Sequence, residues 1–187
     1  MLKYAKVIND ETGLCEVGTG TNTEYYISLG MEELDVEKSD VDNNWYLSEL
    51  CPHKTDVDKL NDAKEAKVLV NDVLRDNALN QGVTYKDVLF DSDTDQKVNL
   101  LAIVSTMDDE QTVLWFGKDN QPLECNRQDL MNIGGLITQL HNFCWNKNAL
   151  IKAEINQAET IEEVEAVEID YTIPAEEQDS EAVSEGE

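Results

Sequence analysis

Apolar and polar positions alternate over residues 2–8 (Leu-Lys-Tyr-Ala-Lys-Val-Ile) and again over 14–17 (Leu-Cys-Glu-Val). A period of two marks a strand with one face in a core, and Asn9-Asp10-Glu11-Thr12-Gly13 between the runs is turn chemistry, so a β-hairpin is predicted. After a loop at Gly18–Thr23, Asn22 or Thr23 is placed to cap a short helix over 24–29 that Gly30 stops. Residues 31–37 and Trp45-Tyr46-Leu47 read as further strands, and Pro52 then breaks the chain.

The period changes beyond Pro52. Residues 56–80 hold neither Gly nor Pro, and Leu60, Ala63, Ala66, Val70, Val73 and Leu74 recur at steps of three and four. This predicts an amphipathic helix that turns those residues inward. Val83–Tyr85 and Val88–Phe90 read as one strand, broken or bulged at Lys86-Asp87. A helix over 94–107 follows, capped by Asp93 or Thr94, with Val98, Leu101 and Val104 as its stripe. Strands are expected at 112–116 and 122–125. Asn126, with Asp129 three residues on, opens a helix to about 157. Its stripe is Leu130, Ile133, Ile137, Leu140, Cys144 and Ile151, flanked by Leu136, Phe143 and Leu150. Gly134-Gly135 either weakens this helix or allows close backbone approach. Thr160-Ile161-Glu162-Glu163 is a capping box, predicting a short helix over 161–167.

The predicted fold class is α+β. A small β-rich module (1–52) precedes a helix-rich α+β domain (53–170) with long helices near 56–80 and 126–157, and an acidic disordered tail (171–187). The chain has 187 residues, with 40 acidic against 14 basic, for a net charge of −26. Residues 154–187 alone hold 13 acids and no base. Nucleic acid is a poor partner for such a surface, because binding it needs clustered cations. An anionic membrane is disfavoured for the same reason. No apolar run approaches the roughly 20 residues of a membrane span, and the N-terminus lacks a secretory hydrophobic region. Cys15, Cys51, Cys125 and Cys144 are far apart, so reduced thiols are expected.

The apparent motifs are weak. Gly18-Thr19-Gly20 lacks the third glycine of a dinucleotide fingerprint and reads as a loop needing positive φ. Asp91-Ser92-Asp93-Thr94-Asp95 resembles the start of a calcium loop, but Gln96 and Ala102 stand where Gly and Glu are required. Cys51 with His53, and His141 with Cys144, lack the spacing of a zinc set. No catalytic residue, metal ligand or cofactor site is assigned, and no enzyme activity is expected. Trp45, Trp115 and Trp145 read as packed aromatics, with interface contact as the alternative.

Three segments carry a resemblance in the first module: Tyr4-Ala5-Lys6-Val7-Ile8-Asn9, the run Cys15–Asn22, and Ser28-Leu29-Gly30-Met31 followed by Trp45-Tyr46-Leu47. This part resembles the N-terminal module of many bacteriophage tail-region proteins. Residues 60–170 resemble a domain of unknown function found at the C-terminus of phage tail-fibre and baseplate-associated proteins. The residues that carry this are Val88–Asp93, Val113-Leu114-Trp115 with Asp119-Asn120, and Ala158–Ala166. The resemblance implies a non-enzymatic structural protein of the distal tail, a virion component assembled in the bacterial host cytoplasm. Its expected partners are other tail proteins of the fibre or baseplate, or a second copy of the chain. The alternative is a tail-fibre assembly chaperone. The expected contact surface is the flank of the 126–157 helix at Leu136, Phe143 and Trp145, with the Leu130/Ile137/Cys144 face turned inward.

Overall fold

The structure, a computed structural model, describes residues 1–173. The class is α+β: a β-rich N-terminal part is followed by a part dominated by helices. Two compact units divide between Asn61 and Asp62 rather than near Pro52. The division falls inside a long helix, α2 (Asp56–Leu79), which starts straight after Thr55 and Asp58 bond reciprocally. Of the expected tail at 171–187, residues 174–187 lie outside the described residues.

In the N-terminal unit, β1 (Leu2–Asn9), β2 (Leu14–Val17), β3 (Glu32–Lys38) and β4 (Trp45–Leu47) close into a barrel of order β1-β2-β4-β3. Alternation along the strands turns Ala5, Cys15 and Val36 into its core, with Val7, Val17, Leu34, Trp45 and Leu47 around them. Helix α1 (Thr23–Ser28) is capped by Asn22, whose side chain accepts the Tyr25 N–H. Gly18 and Gly20 are not at positive φ, contrary to the expectation from sequence. The Tyr26 ring lies against Gly18, and the Tyr26 hydroxyl accepts the Gly20 N–H, so the glycines make room for an aromatic ring.

The β3–β4 turn is held by a polar set. Asp42 accepts from the Tyr46 hydroxyl (2.7 Å), the Asn44 N–H (3.1 Å) and the Asn44 side-chain amide (2.8 Å). The Tyr46 bond is the main cause that brings the Asp42 carboxyl down to about 2. Because its folded value lies below the unfolded one, the stabilisation is complete above about pH 4 and is lost as pH falls through about 2. Tyr46→Phe is expected to move the Asp42 titration back up toward the ordinary carboxylate range and to shrink this acid-linked loss. Carboxylate NMR titration reads it, and an unchanged Asp42 after Tyr46→Phe would count against the assignment.

In the C-terminal unit, β5 (Val83–Tyr85) and β6 (Val88–Phe90) are two antiparallel strands, not one broken strand. Lys86 and Asp87 both have positive φ, the geometry of a two-residue turn whose twist matches the strands. Lys86 is anchored by an ion pair to Asp129 at 2.7 Å. Strands β7 (Thr112–Phe116) and β8 (Pro122–Asn126) form a second hairpin. Helix α3 (Thr94–Thr106) is capped by Asp93. It buries Leu100 and partly buries Ile103 and Val104, while Val98 and Leu101 are exposed, so its expected stripe is rotated.

Helix α4 (Arg127–Gln157) is the spine. Asn126 and Asp129 form its capping box, and Leu130, Ile133, Ile137, Leu140, Cys144, Ile151 and Ile155 are buried along one face. Asp129 also accepts from the Tyr85 hydroxyl at 2.8 Å. Burial pushes the Asp129 carboxyl up, but its bonds to Lys86, Tyr85 and the Asn126 N–H outweigh this and hold it low. Helix α5 (Ile161–Ala166) has the predicted capping box at Thr160 and Glu163 and buries Val164. Tyr171 and Ile173 pack against the Ala78/Leu140/Cys144 cluster, so the expected loose tail does not begin at 171.

Nothing lies within 4 Å of a Cβ built on Gly134 or Gly135, so neither serves a close backbone approach. Glycine in a helix interior costs about 0.5–1 kcal/mol relative to alanine. Gly135→Ala, at an exposed position, is expected to raise the denaturation midpoint by that amount of stability. A loss of stability instead would mean that the position has a neighbour.

Candidate interaction surface

Helix α2 forms because no Gly or Pro interrupts residues 56–79, but it follows the apolar pattern only in part: Leu60 and Ala63 of the expected stripe are half-buried, whereas Ala66, Val70, Val73 and Leu74 are exposed. The side turned to the rest of the C-terminal unit is largely polar. Asn71 is fully buried; its amide donates to the Asn148 carbonyl (3.3 Å), and its oxygen accepts from the Tyr171 hydroxyl (2.7 Å). Asp72 pairs with Lys152 (2.7 Å) and Arg75 (2.9 Å) and accepts from the Asn148 amide (3.0 Å). The Lys152 bond is the leading cause that lowers the Asp72 carboxyl. Lys64 and Lys67 reach the carbonyls of Asn156 and Glu165 at 2.9 and 3.0 Å.

The opposite side of α2 carries Leu69, Val70, Val73 and Leu74. Leu69 is 66% exposed and Val73 51%, with Val70 and Leu74 beside them. The pairs Leu69/Val73 and Val70/Leu74 are four residues apart, so they form one ridge. Asp62, Glu65 and Asp76 lie along it and are exposed, and Asp76 also accepts from Arg75.

The three residues expected at the interface do not form one patch. Phe143 is half-buried against Ala78, Leu140 and Cys144, and Leu136 is also half-buried. Trp145 is 53% exposed, with the Arg75 guanidinium 4.3 Å from its ring centroid. At 3.6 residues per turn, Phe143 and Trp145 point about 160° apart around the helix, so they cannot meet one surface. The Leu130/Ile137/Cys144 face does turn inward.

The chemically suggestive groups fall into ordinary roles in this unit. His141 Nε2 donates to the Ser92 carbonyl at 2.7 Å. Cys125 and Cys144 are buried, and burial pushes both thiols up. The Asp91–Asp95 run caps α3 through Asp93, while Asp91 faces Lys118. A groove of about 480 Å³ lies between the end of α2 and residues 169–173, lined by Leu74, Ala78, Gln81, Tyr171 and Ile173. The four cysteines are unpaired, and among the described residues no helix is long and apolar enough to cross a membrane.

Residues 62–172, the segment that carries α2 from Asp62 onward, the β5–β6 and β7–β8 hairpins and α3 to α5, match the model of a domain of unknown function (DUF4376). The chain belongs to this family. No curated protein and no solved structure matches it. The DUF4376 match begins at the boundary between the two compact units, so the ridge of α2 lies within the family's domain. The ridge escaped the sequence reading because its spacing is that of a core stripe. The competing signal is the inward row Lys64, Lys67, Asn71 and Arg75, which has helical spacing of its own.

Proposed function

We propose that this protein is a non-enzymatic structural component of a bacteriophage distal tail, associated with the fibre or baseplate and acting through protein–protein contacts. The observation that carries the contact role is the outward ridge of Leu69, Val70, Val73 and Leu74 on α2. A domain that has polar side chains available for its surface, yet sends them inward and leaves four aliphatic ones in water, is arranged for a partner. The tail setting rests on the resemblance of the opening module and of residues 88–93, 113–115 and 158–166. The net charge of −26 is consistent with a protein partner and disfavours nucleic acid.

Quantitative mass spectrometry of purified virions tests the role. A structural protein is present at fixed copy number, and the Leu69→Asp/Val73→Asp double variant, at exposed sites, folds but is not incorporated. Absence from virions together with capture on tail fibres during assembly would replace this reading with the assembly chaperone. Absence from both would overturn it.

A further inference from the structure

The N-terminal unit gathers a second set of chemistry-bearing side chains. Val36 on β3 points into the barrel core, so alternation turns Glu37 outward. Cys51 and His53 follow β4 on either side of Pro52, which fixes its own φ and biases Cys51 toward extended backbone. A carboxylate oxygen of Glu37, the Cys51 Sγ and a ring nitrogen of His53 all lie within 4.8 Å of one another. The two faces of the imidazole are distinct. Nε2 is 3.9 Å from the Glu37 carboxylate, and Nδ1 is 3.7 Å from that of Asp40. The surrounding backbone is tied down: the Ser39 hydroxyl donates to the Pro52 carbonyl, and the Lys54 N–H to Asp40, each at 2.8 Å.

We infer that Glu37, Cys51 and His53 form a binding site for one Zn²⁺ ion, with the Glu37 carboxylate, Cys51 Sγ and His53 Nε2 as its protein ligands and a fourth position open to water. Zinc takes sulfur at about 2.3 Å and nitrogen or oxygen at about 2.0–2.2 Å in tetrahedral array, which sets neighbouring donors about 3.3–3.7 Å apart. Nε2 and the Glu37 oxygen are 3.9 Å apart, and all three donors lie within 4.8 Å of one another, so the side chains close by up to about 1 Å to reach zinc distances. A mixed sulfur, nitrogen and oxygen set selects zinc over magnesium or calcium, which take oxygen. The Asp40 carboxylate stands 3.7 Å from Nδ1, just outside hydrogen-bond distance, where it would accept the Nδ1 proton once the side chains close on the metal and leave Nε2 to bind it. Cys51 binds as thiolate, and its proton passes to the buffer. Glu37, Asp40 and Asp42 together place negative charge where a dication would sit. Cys51 and His53 alone are two ligands at a spacing too short to signal a site, and the third arrives from 14 residues upstream.

The full chain, stripped of metal, is titrated with Co²⁺ and then with Zn²⁺. A sulfur-to-cobalt charge-transfer absorption is expected to saturate at one equivalent and to be displaced by Zn²⁺. Cys51→Ser abolishes the absorption. His53→Gln and Glu37→Gln, at half-exposed positions, weaken Zn²⁺ binding at least tenfold without affecting the fold, and Asp40→Asn weakens it about 10- to 100-fold. His141→Gln leaves binding unchanged. No charge-transfer absorption, or one that survives Cys51→Ser, overturns the site. Binding indifferent to His53→Gln or Glu37→Gln overturns the three-ligand assignment.

Discussion

Phe90→Ala is expected to lower the stability of the C-terminal unit by about 3–5 kcal/mol, the range for emptying a fully packed aromatic site. Phe90 ends β6 with only 1% of its surface exposed, in one cluster with Leu100, Met107, Cys125, Leu130, Ile133 and Ile137. Those neighbours come from α3, β8, α4 and the connection after α3, so the cavity has rigid walls on several sides and little means of collapse. Against a typical domain stability of 5–15 kcal/mol, the loss approaches unfolding. A fall in the thermal midpoint of roughly 15–20 °C follows for a domain of this size. Leu114→Ala is the control. Leu114 is also an apolar strand residue, but it is 62% exposed on the outer face of β7, so its truncation stays within about 0.5 kcal/mol. Thermal or denaturant unfolding of both variants reads the difference, and similar values for the two would contradict the placement of the core.

Much of this core was legible because α4 obeys one strong rule. Its buried residues fall on steps of three and four, and Asn126 and Asp129 announce its start. The hairpin of β1 and β2 was readable for the same reason, since period two is hard to mistake. The failures share a different cause. On α3, Leu100 and Ile103 compete with Val98 and Leu101, and local spacing does not choose between adjacent stripes. On α2, aliphatic spacing scores only transfer from water, whereas burial was decided by polar partners distant in sequence: Asn148, Lys152, Asn156, Glu165 and Tyr171. At Lys86-Asp87 the turn depends on positive φ at two residues other than glycine, which composition signals poorly. The Phe143/Trp145 flank failed on rotation alone, because two residues apart on a helix means nearly opposite sides. The Glu37, Cys51 and His53 set is invisible to motif spacing, since the barrel brings Glu37 to the other two.

Asn71→Ala is expected to cost about 2–4 kcal/mol, although it removes fewer heavy atoms than most core truncations. The site is fully buried, and the side chain donates to the Asn148 carbonyl and accepts from the Tyr171 hydroxyl. Alanine removes a second donor from the Asn148 carbonyl, which keeps its bond within α4, and leaves the Tyr171 hydroxyl without its acceptor, at about 1–3 kcal/mol for a buried group unsatisfied. Tyr171→Phe alone removes one of the two bonds and is expected to cost about 1–1.5 kcal/mol. The pair is diagnostic when combined. In the Asn71→Ala background, Tyr171→Phe removes a hydroxyl that has already lost its acceptor and keeps only the Asn148 amide, so its cost falls well below that of the single variant. The resulting coupling is at least about 1 kcal/mol, well above the 0.3–0.5 kcal/mol scatter of independent sites. Unfolding of the wild type, the two single variants and the double variant closes the cycle. If residue 171 belonged to a loose tail, Tyr171→Phe would be silent in every background. If α2 instead turned Val70 and Val73 inward, Asn71 would sit in water, and its truncation would cost no more than a few tenths of a kcal/mol. One cycle therefore decides both where the chain stops packing and which face of α2 is left for a partner.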